Sequence, residues 1–427
     1  MSATLVFGLS ALLLLLAAGI PIYLVLMGVA SFLLLLEGQT LVGLGQHVLD
    51  HLNSPILISV PFFILAAVFM RGGGLAKILF DAALSWIGWL PGGLAIAGVA
   101  ATAVFAAITG SSAATTMAMG TLLVPLMIER GYKPSFAMGL TAAAGTLGIL
   151  IPPSLPMILI GLIAEESIPR LFLGGVIPGL MQAGIFIIYI IFIADRVGGK
   201  AEPMVSRDVF LRSNVRAIPA FMIPVVVLGG IYGGFVTLTE AAVLGALVAL
   251  IAVLFIYRTA KLREIPAMLT EAIDRTSMII LIIMGATLMS AWIIKSGVPQ
   301  QLARNIIESQ MEPWQFLLIV NLCLLILGMF LEGVAIILIV LPVVSVVVKE
   351  MGIDMTHFAV VMVINIELAL LSPPIGLNLF VMSNVTGRPV SEVLRGTVPF
   401  FLLMLGLLLL VTFIPALSTW LPNKVMG

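Results

Sequence analysis

The sequence predicts an all-α polytopic membrane protein made of inverted repeats, each holding a re-entrant helical hairpin and a transmembrane helix broken at a Pro-Pro pair. Three observations predict it. Of the 427 residues, 61% are hydrophobic and 9% charged, with a mean hydropathy of +1.25; no soluble fold of that length hides so much apolar surface from water. The stretch Leu147-Gly-Ile-Leu-Ile-Pro152-Pro153-Ser154 returns 221 residues later as Leu368-Ala-Leu-Leu-Ser372-Pro373-Pro374-Ile375. The basic residues gather in alternate loops.

Spanning segments are predicted at 5 to 36, 53 to 70, 135 to 163, 171 to 194, 217 to 235, 239 to 257, 276 to 295, 357 to 385 and 397 to 421, apolar runs near or above the roughly 20 residues that cross a bilayer. Pro21 inside the first would bend or double it. Residues 1 to 4 lack the basic start of a cleavable signal peptide, so the first helix is expected to stay. Two further runs, 92 to 128 and 313 to 349, are interrupted by Thr109-Gly110-Ser111-Ser112 and by Glu332-Gly333. Each is either two full crossings or a hairpin that enters and leaves by one face.

Charge chooses the hairpin. With hairpins, Arg71, Lys77, Arg130, Lys133, Arg196, Lys200, Arg207, Arg212, Arg216, Arg258, Lys261, Arg263, Arg275, Arg388 and Arg395 share one face, 15 of the 20 basic residues. The positive-inside tendency makes that face cytoplasmic. The N-terminus is then expected inside and the C-terminus outside. Segments 53 to 70 and 276 to 295 enter from opposite faces, which inverts the repeats. The register extends beyond the prolines, since Gly131, Gly175 and Pro178 match Gly352, Gly396 and Pro399 at the same offset, and Pro125 answers Pro342 at 217.

The chain therefore divides into 1–52, an N-terminal scaffold helix and linker; 53–194, repeat 1 with hairpin 92–128 and broken helix 135–163; 195–275, connecting loops and two scaffold helices; and 276–427, repeat 2 with hairpin 313–349, broken helix 357–385 and last helix 397–421. Amphipathic stretches at Leu75 to Leu90, with Trp86 and Trp89, and at Val298 to Met311 suit the headgroup plane. They either link a fixed frame to a moving part or are plain surface helices.

Hairpin tips and proline breaks leave helical geometry at membrane depth, where their amides and carbonyls need partners. Gly110, Ser111 and Ser112 permit the first turn and add hydroxyls, and the Pro152-Pro153 break frees carbonyls one turn earlier. Meeting, they make an oxygen cage for a small hard cation. Leu331, Glu332, Gly333, Ser372 and Pro373 would build the second cage, with Asn365, Glu367 and Asn378 nearby. Taken singly, small residues serve close helix packing and prolines kink; their repetition favours the cage. Glu332 and Glu367 carry carboxylates that cost about 2.5 to 3.5 kcal/mol at depth on insertion scales. Each neutralises a cation, carries a proton or, for Glu367, braces unwound backbone. His357 reads as interfacial, and Asn321 as a bridge between helices.

Other classes are disfavoured. The net charge is zero and no basic patch interleaves with aromatics, which sets nucleic acid aside. Cys323 is the single cysteine, so no internal disulfide forms. No Gly-x4-Gly-Lys-Ser/Thr phosphate cradle occurs. The three histidines, His47, His51 and His357, and the lack of a mid-span Asp or a Gly-x-Ser-x-Gly disfavour an intramembrane enzyme, so no catalytic residue is assigned. A scaffold has no use for paired helix breaks.

Ile108-Thr-Gly-Ser-Ser-Ala-Ala-Thr115, Gly145-Thr-Leu-Gly-Ile-Leu-Ile-Pro-Pro-Ser154, Thr237-Leu-Thr-Glu-Ala-Ala242, Gly352-Ile-Asp-Met-Thr-His-Phe358 and Asn365-Ile-Glu-Leu-Ala-Leu-Leu-Ser-Pro-Pro-Ile-Gly-Leu-Asn378 resemble the DctM-like large membrane subunit of the tripartite ATP-independent periplasmic (TRAP) transporters, over essentially the whole chain. The resemblance implies secondary active transport by an elevator mechanism in the bacterial inner membrane: Na+ symport that imports carboxylates such as C4-dicarboxylates or sialic acid, with no other cofactor. It implies two protein partners, a small four-helix membrane subunit and a periplasmic substrate-binding protein. Carried onto this chain, one Na+ site falls at Gly110, Ser111 and Ser112 with Ile151, Pro152 and Ser154. A second falls at Glu332 and Gly333 with Ser372, Pro373 and Gly376. Substrate would lie between them, near Ser111, Ser112, Thr115, Ser154, Gly333 and Asn378. Ser372 stands where the family usually has Thr, which keeps the hydroxyl. Leu238 replaces the usual proline of Thr-Pro-Thr-Glu, but Thr237 and Glu240 keep the spacing of a capping box. The alternative is a stand-alone cation-coupled anion symporter or antiporter without accessory subunits.

Overall fold

A computed structural model describes residues 3–427; residues 1 and 2, part of the stretch without a basic leader, lie outside the described residues. Among the described residues there is no strand, and nine helical stretches are long and apolar enough to cross a membrane.

The N-terminal run takes the doubled form that Pro21 allowed. It forms two helices, α1 (Ala3–Ala17) and α2 (Ile22–Leu36), because Pro21 cannot continue a helix and Gly19 takes the left-handed conformation at φ 77°. They fold back on each other: Phe7 meets Phe32 at 6.0 Å between ring centroids, and Gly8 lies against Leu33 and Trp292. Each has 15 residues, about 22 Å of helix against a core of about 30 Å. The single crossing at 5 to 36 is thus corrected to a short hairpin. The start of α1 consequently lies at the Trp292 end of its neighbour, away from Arg275, and not at the basic end expected for a single crossing. The expected linker contains a helix, α3 (Leu41–Leu52), capped by the Thr40 hydroxyl on the Gly43 amide at 3.1 Å. It buries Leu44 and Val48.

α4 (Pro55–Gly72) and α5 (Leu75–Ile87) follow. The first interrupted run is two helices, α6 (Gly93–Thr109) and α7 (Ser112–Glu129), joined by a tip at Gly110 and Ser111. The first broken helix runs as α8 (Pro134–Gly145), α9 (Leu147–Leu150) and, past Pro152-Pro153, α10 (Leu155–Ala164). α11 (Ile168–Val197), α12 (Arg207–Tyr232) and α13 (Leu238–Ile251) lead to α14 (Ile265–Lys295). The anticipated capping box starts α13: the Thr237 hydroxyl accepts from the Glu240 amide at 3.3 Å while Glu240 accepts from the Thr237 amide at 2.8 Å.

The second half repeats the order. α15 (Val298–Glu308) precedes a hairpin of α16 (Pro313–Gly328) and α17 (Gly333–Glu350). The second broken helix is α18 (Met355–Ala369) and α19 (Leu377–Thr386). The last predicted span divides at Ile414-Pro415 into α20 (Val390–Phe413) and α21 (Ala416–Met426). α21 turns back over α11 and α18, with Arg170 reaching Asn423 at 2.6 Å and His357 meeting Ser418 at 2.9 Å. His357 is therefore buried rather than interfacial.

Packing crosses between the halves. α7 lies on α8 and on α19, while α17 lies on α18 and on α10. α20 covers α8, and α11 covers α18. A Cβ on Gly396 would sit 1.7 Å from the Ser135 carbonyl oxygen, so α20 and α8 touch backbone to backbone, which small residues alone allow. Around this body, α4, α13, α14 and α2 pack as neighbours. α4 and α14 run antiparallel, since Arg71 in the last turn of α4 pairs with Glu271 near the start of α14.

Candidate substrate and ion site

Each break is a local solution to missing amide donors. Pro152 and Pro153 cannot donate to the carbonyls four residues back. The Ser154 hydroxyl replaces one of those bonds by donating to the Ile149 carbonyl. In the second break Asn378 N donates to the Leu370 carbonyl at 3.1 Å, and the Ser372 hydroxyl to Leu368 at 2.8 Å. The carbonyls one turn earlier, expected to be free, are thus largely recapped. Within the breaks, the carbonyls of Ile151, Pro152, Pro153, Leu371, Pro373 and Pro374 are among those that accept no backbone hydrogen bond. Break 1 is mostly buried, whereas Pro373, Pro374 and Ile375 are exposed.

Glycine lets tip and break meet. Gly110 is left-handed at φ 58°, and a Cβ there would stand 2.8 Å from the Pro153 carbonyl oxygen. Gly148 would meet the Ser111 carbonyl oxygen at 2.9 Å. In the second half the small residue changes sides: Gly328 and Gly333, on the hairpin, face Ala369 and Ile366 at 2.2 and 2.4 Å from an added Cβ. Ala369 and Ile366 stand 221 residues after Gly148 and Gly145.

The two tips open on one cavity of about 220 Å³. One wall comes from both halves: Gly110, Ser111 and Ser112; Ile149 and Leu155; Glu332 and Gly333; Ile366, Leu370 and Leu377. The facing wall is Ile64, Ala67, Val68 and Arg71 of α4 with Arg275, Met278, Ile279 and Ile282 of α14, each set spaced three, four and seven residues apart along one helical face.

Five of the expected site residues, Gly110, Ser111, Ser112, Glu332 and Gly333, line this cavity. Thr115, Ser154 and Asn378 are fully buried just behind it. The Thr115 hydroxyl donates to the Ser111 carbonyl at 2.8 Å and meets Thr109 Oγ1 at 2.6 Å. Asn378 Nδ2 donates to Ser112 Oγ at 2.8 Å and to the Ala142 carbonyl at 3.1 Å. Ile151, Pro152, Ser372, Pro373 and Gly376 sit in the breaks and do not reach the cavity wall.

Sequence reasoning missed Thr146 and Gln182. Both flank the fully buried Glu367, whose two carboxyl oxygens have no hydrogen bond of good geometry. Thr146 precedes Glu367 by 221 residues, so the repeat offset was the signal that pairs them. Asn321 bridges helices as expected, accepting from Asn365 Nδ2 and donating to Thr412 Oγ1, both at 2.9 Å.

The model of the DctM component of the tripartite ATP-independent periplasmic transporters matches residues 8–417. The chain belongs to that family. The DctM large permease protein of a C4-dicarboxylate TRAP transporter from Pseudomonas aeruginosa is 43% identical over 368 residues, 86% of each chain. Its counterpart from Rhodobacter capsulatus is 36% identical over 438 residues, 99% of each chain. The sialic acid TRAP large permease SiaM of Vibrio cholerae is 33% identical over 414 residues, 97% of each. Two solved transporters share the fold. The Alcanivorax borkumensis YdaH transporter has a TM-score of 0.55 at 16% identity, covering 88% of this chain and 89% of its own. Neisseria gonorrhoeae MtrF, of a class described as antimetabolite efflux pumps, has a TM-score of 0.59 at 12% identity, covering 88% and 84%. As a DctM component the chain is a multi-pass membrane permease subunit, and the TRAP family implies a small membrane subunit and a periplasmic binding protein as partners.

Proposed function

We infer that this DctM component imports a carboxylate, of the C4-dicarboxylate or sialic-acid-like kind, across the bacterial inner membrane in symport with Na+. The cargo arrives on a periplasmic binding protein, and a small four-helix membrane subunit completes the permease. The observation that carries the reading is the shared cavity: the hairpin tips of both halves, with the helix ends that flank the two proline breaks, converge on one space instead of lying apart or packing shut. Uncapped carbonyls in the breaks and the Ser111 and Ser372 hydroxyls are hard oxygen donors of the sort that hold small cations.

The two walls supply the mechanism. Tips and breaks form one body, with residues 53–194 and 276–427 as inverted repeats, while α4 and α14 line the cavity with faces that are apolar except at Arg71 and Arg275, over which that body slides as an elevator. The antiparallel course of α4 and α14 supports the inversion. Because the basic ends of both helices face the cytoplasm by the positive-inside tendency, the α1–α2 hairpin returns the N-terminus to the periplasmic side, where α21 also lies. The second reading is a stand-alone carrier; a gene neighbourhood without a four-helix subunit and a secreted binding protein would support it.

Proteoliposomes holding both membrane subunits, supplied with binding protein and carboxylate, are expected to accumulate cargo only under an inward Na+ gradient. Ser111→Leu and Ser372→Leu should each cut that uptake at least about tenfold, which corresponds to about 1.4 kcal/mol, while the protein still reconstitutes. Uptake that ignores Na+ contradicts the coupling, and normal Na+-dependent uptake by both variants removes these hydroxyls from the site.

A further inference from the structure

Among the described residues lining the central cavity, Arg71 and Arg275 are the only cations, and both stand on the wall formed by α4 and α14. Since these helices are antiparallel, a residue in the last turn of one and a residue early in the other arrive at the same end. Both guanidiniums bind one carboxylate there. Arg71 Nη2 and Arg275 Nη2 converge on Glu271 Oε1, the latter at 2.8 Å.

This is an unsaturated arrangement. Each guanidinium has five N–H donors in a fork that fits a carboxylate with two parallel bonds. One carboxylate oxygen shared between two forks leaves most of those donors unused by the triad, and the three groups together carry one net positive charge. A clamp needed only to hold α4 to α14 is already complete with Arg71 and Glu271. Arg275, one turn further along the helix that bears Glu271, adds nothing to that link but puts a second guanidinium at the cavity. The side chains are 23% exposed at Arg71, 33% at Glu271 and 42% at Arg275, so water screens the pairs and weakens them. Weak, exchangeable pairing suits passage rather than tight holding.

We propose that Arg71 and Arg275 form a carboxylate-docking pair at the basic end of the cavity, with Glu271 as a built-in occupant that the cargo's carboxylate displaces in transit. This rests on the carboxylate-carrier reading and deepens it: the hairpin tips receive the cargo, and the guanidinium pair on the facing wall draws its carboxylate toward the cytoplasmic exit. Opposite-sign groups placed this way set rate and direction of encounter more than affinity. No bond is made or broken.

Succinate exchange across proteoliposomes, with the half-saturating concentration measured at the basic face, tests it. Arg275→Gln is expected to raise that concentration about tenfold with an unchanged melting temperature, because the link from α4 to α14 survives. Arg71→Gln should raise it as well. Glu271→Gln should lower it, since the occupant no longer competes. An unchanged value for Arg275→Gln, or a raised one for Glu271→Gln, would overturn the docking pair while leaving the carrier intact. Absence of exchange of both succinate and sialic acid by the unmodified protein with its small membrane subunit would remove both the carrier reading and the pair.

Discussion

Asn378→Leu is expected to reduce carboxylate uptake at least about tenfold while the protein remains helical and monodisperse. Asn378 lies in the first turn of α19 and is fully buried. Its side-chain amide ties the second broken helix to the Ser112 hydroxyl of the first hairpin and to the Ala142 carbonyl of the first broken helix. Leucine matches its bulk but donates nothing, and each buried polar group left unsatisfied costs about 1–3 kcal/mol. The loss falls on the joint between the halves, where tip 1 must hold its place beside the cavity. Initial uptake rates, set against circular dichroism and size-exclusion profiles of the same preparation, check it. Normal uptake by a folded Asn378→Leu variant would show that the joint does not govern transport.

Gly148→Ala should be comparably damaging, and Thr115→Ala should not rescue it. An added Cβ would stand 2.8 Å from Thr115 Oγ1 but also 2.9 Å and 3.0 Å from the carbonyl oxygen and carbon of Ser111. Trimming Thr115 clears the first overlap only. The second is with the backbone of the tip, so the hairpin itself must move, at about 1–3 kcal/mol for overpacking of this kind. At Gly145 the first overlap is with a side chain instead, since its Cβ would stand 1.9 Å from Thr116 Oγ1, with the Thr116 Cα at 3.0 Å. A Gly148→Ala, Thr115→Ala double variant that transports normally would place the constraint in the side chain and not in the tip.

Much of this architecture was legible because its punctuation is local. Double prolines and glycine-serine tips stop helices wherever they occur, so the expected hairpins at 92–128 and 313–349 agree with Gly93–Glu129 and Pro313–Glu350 to within a residue. The N-terminal hairpin was obscured because α1 and α2 are both leucine-rich, leaving Gly19 and Pro21 as the only marks of a turn. Glu271 escaped notice as a cavity neighbour because its surroundings read as a loop, whereas α14 begins at Ile265. Thr146 and Gln182 were silent for another reason. A lone Thr or Gln in an apolar helix is compatible with any packing, and only the tertiary crossings of α9 and α11 with α18 show that they surround Glu367. Convergence of the two tips was a matter of long-range geometry that no local pattern encodes.

That convergence is the claim on which the rest depends. With Cys323 as the only native cysteine, a Cys323→Ser background accepts a single reporter at Ala113 on the first tip or at Val334 on the second, both cavity-lining. The measurement is the labelling rate of each by a membrane-impermeant thiol reagent, with and without Na+ plus succinate. A shared cargo site predicts that Na+ and succinate together slow labelling at both positions by a similar factor. Protection at one tip alone, or at neither in a preparation that transports, would contradict a single cavity built by both halves.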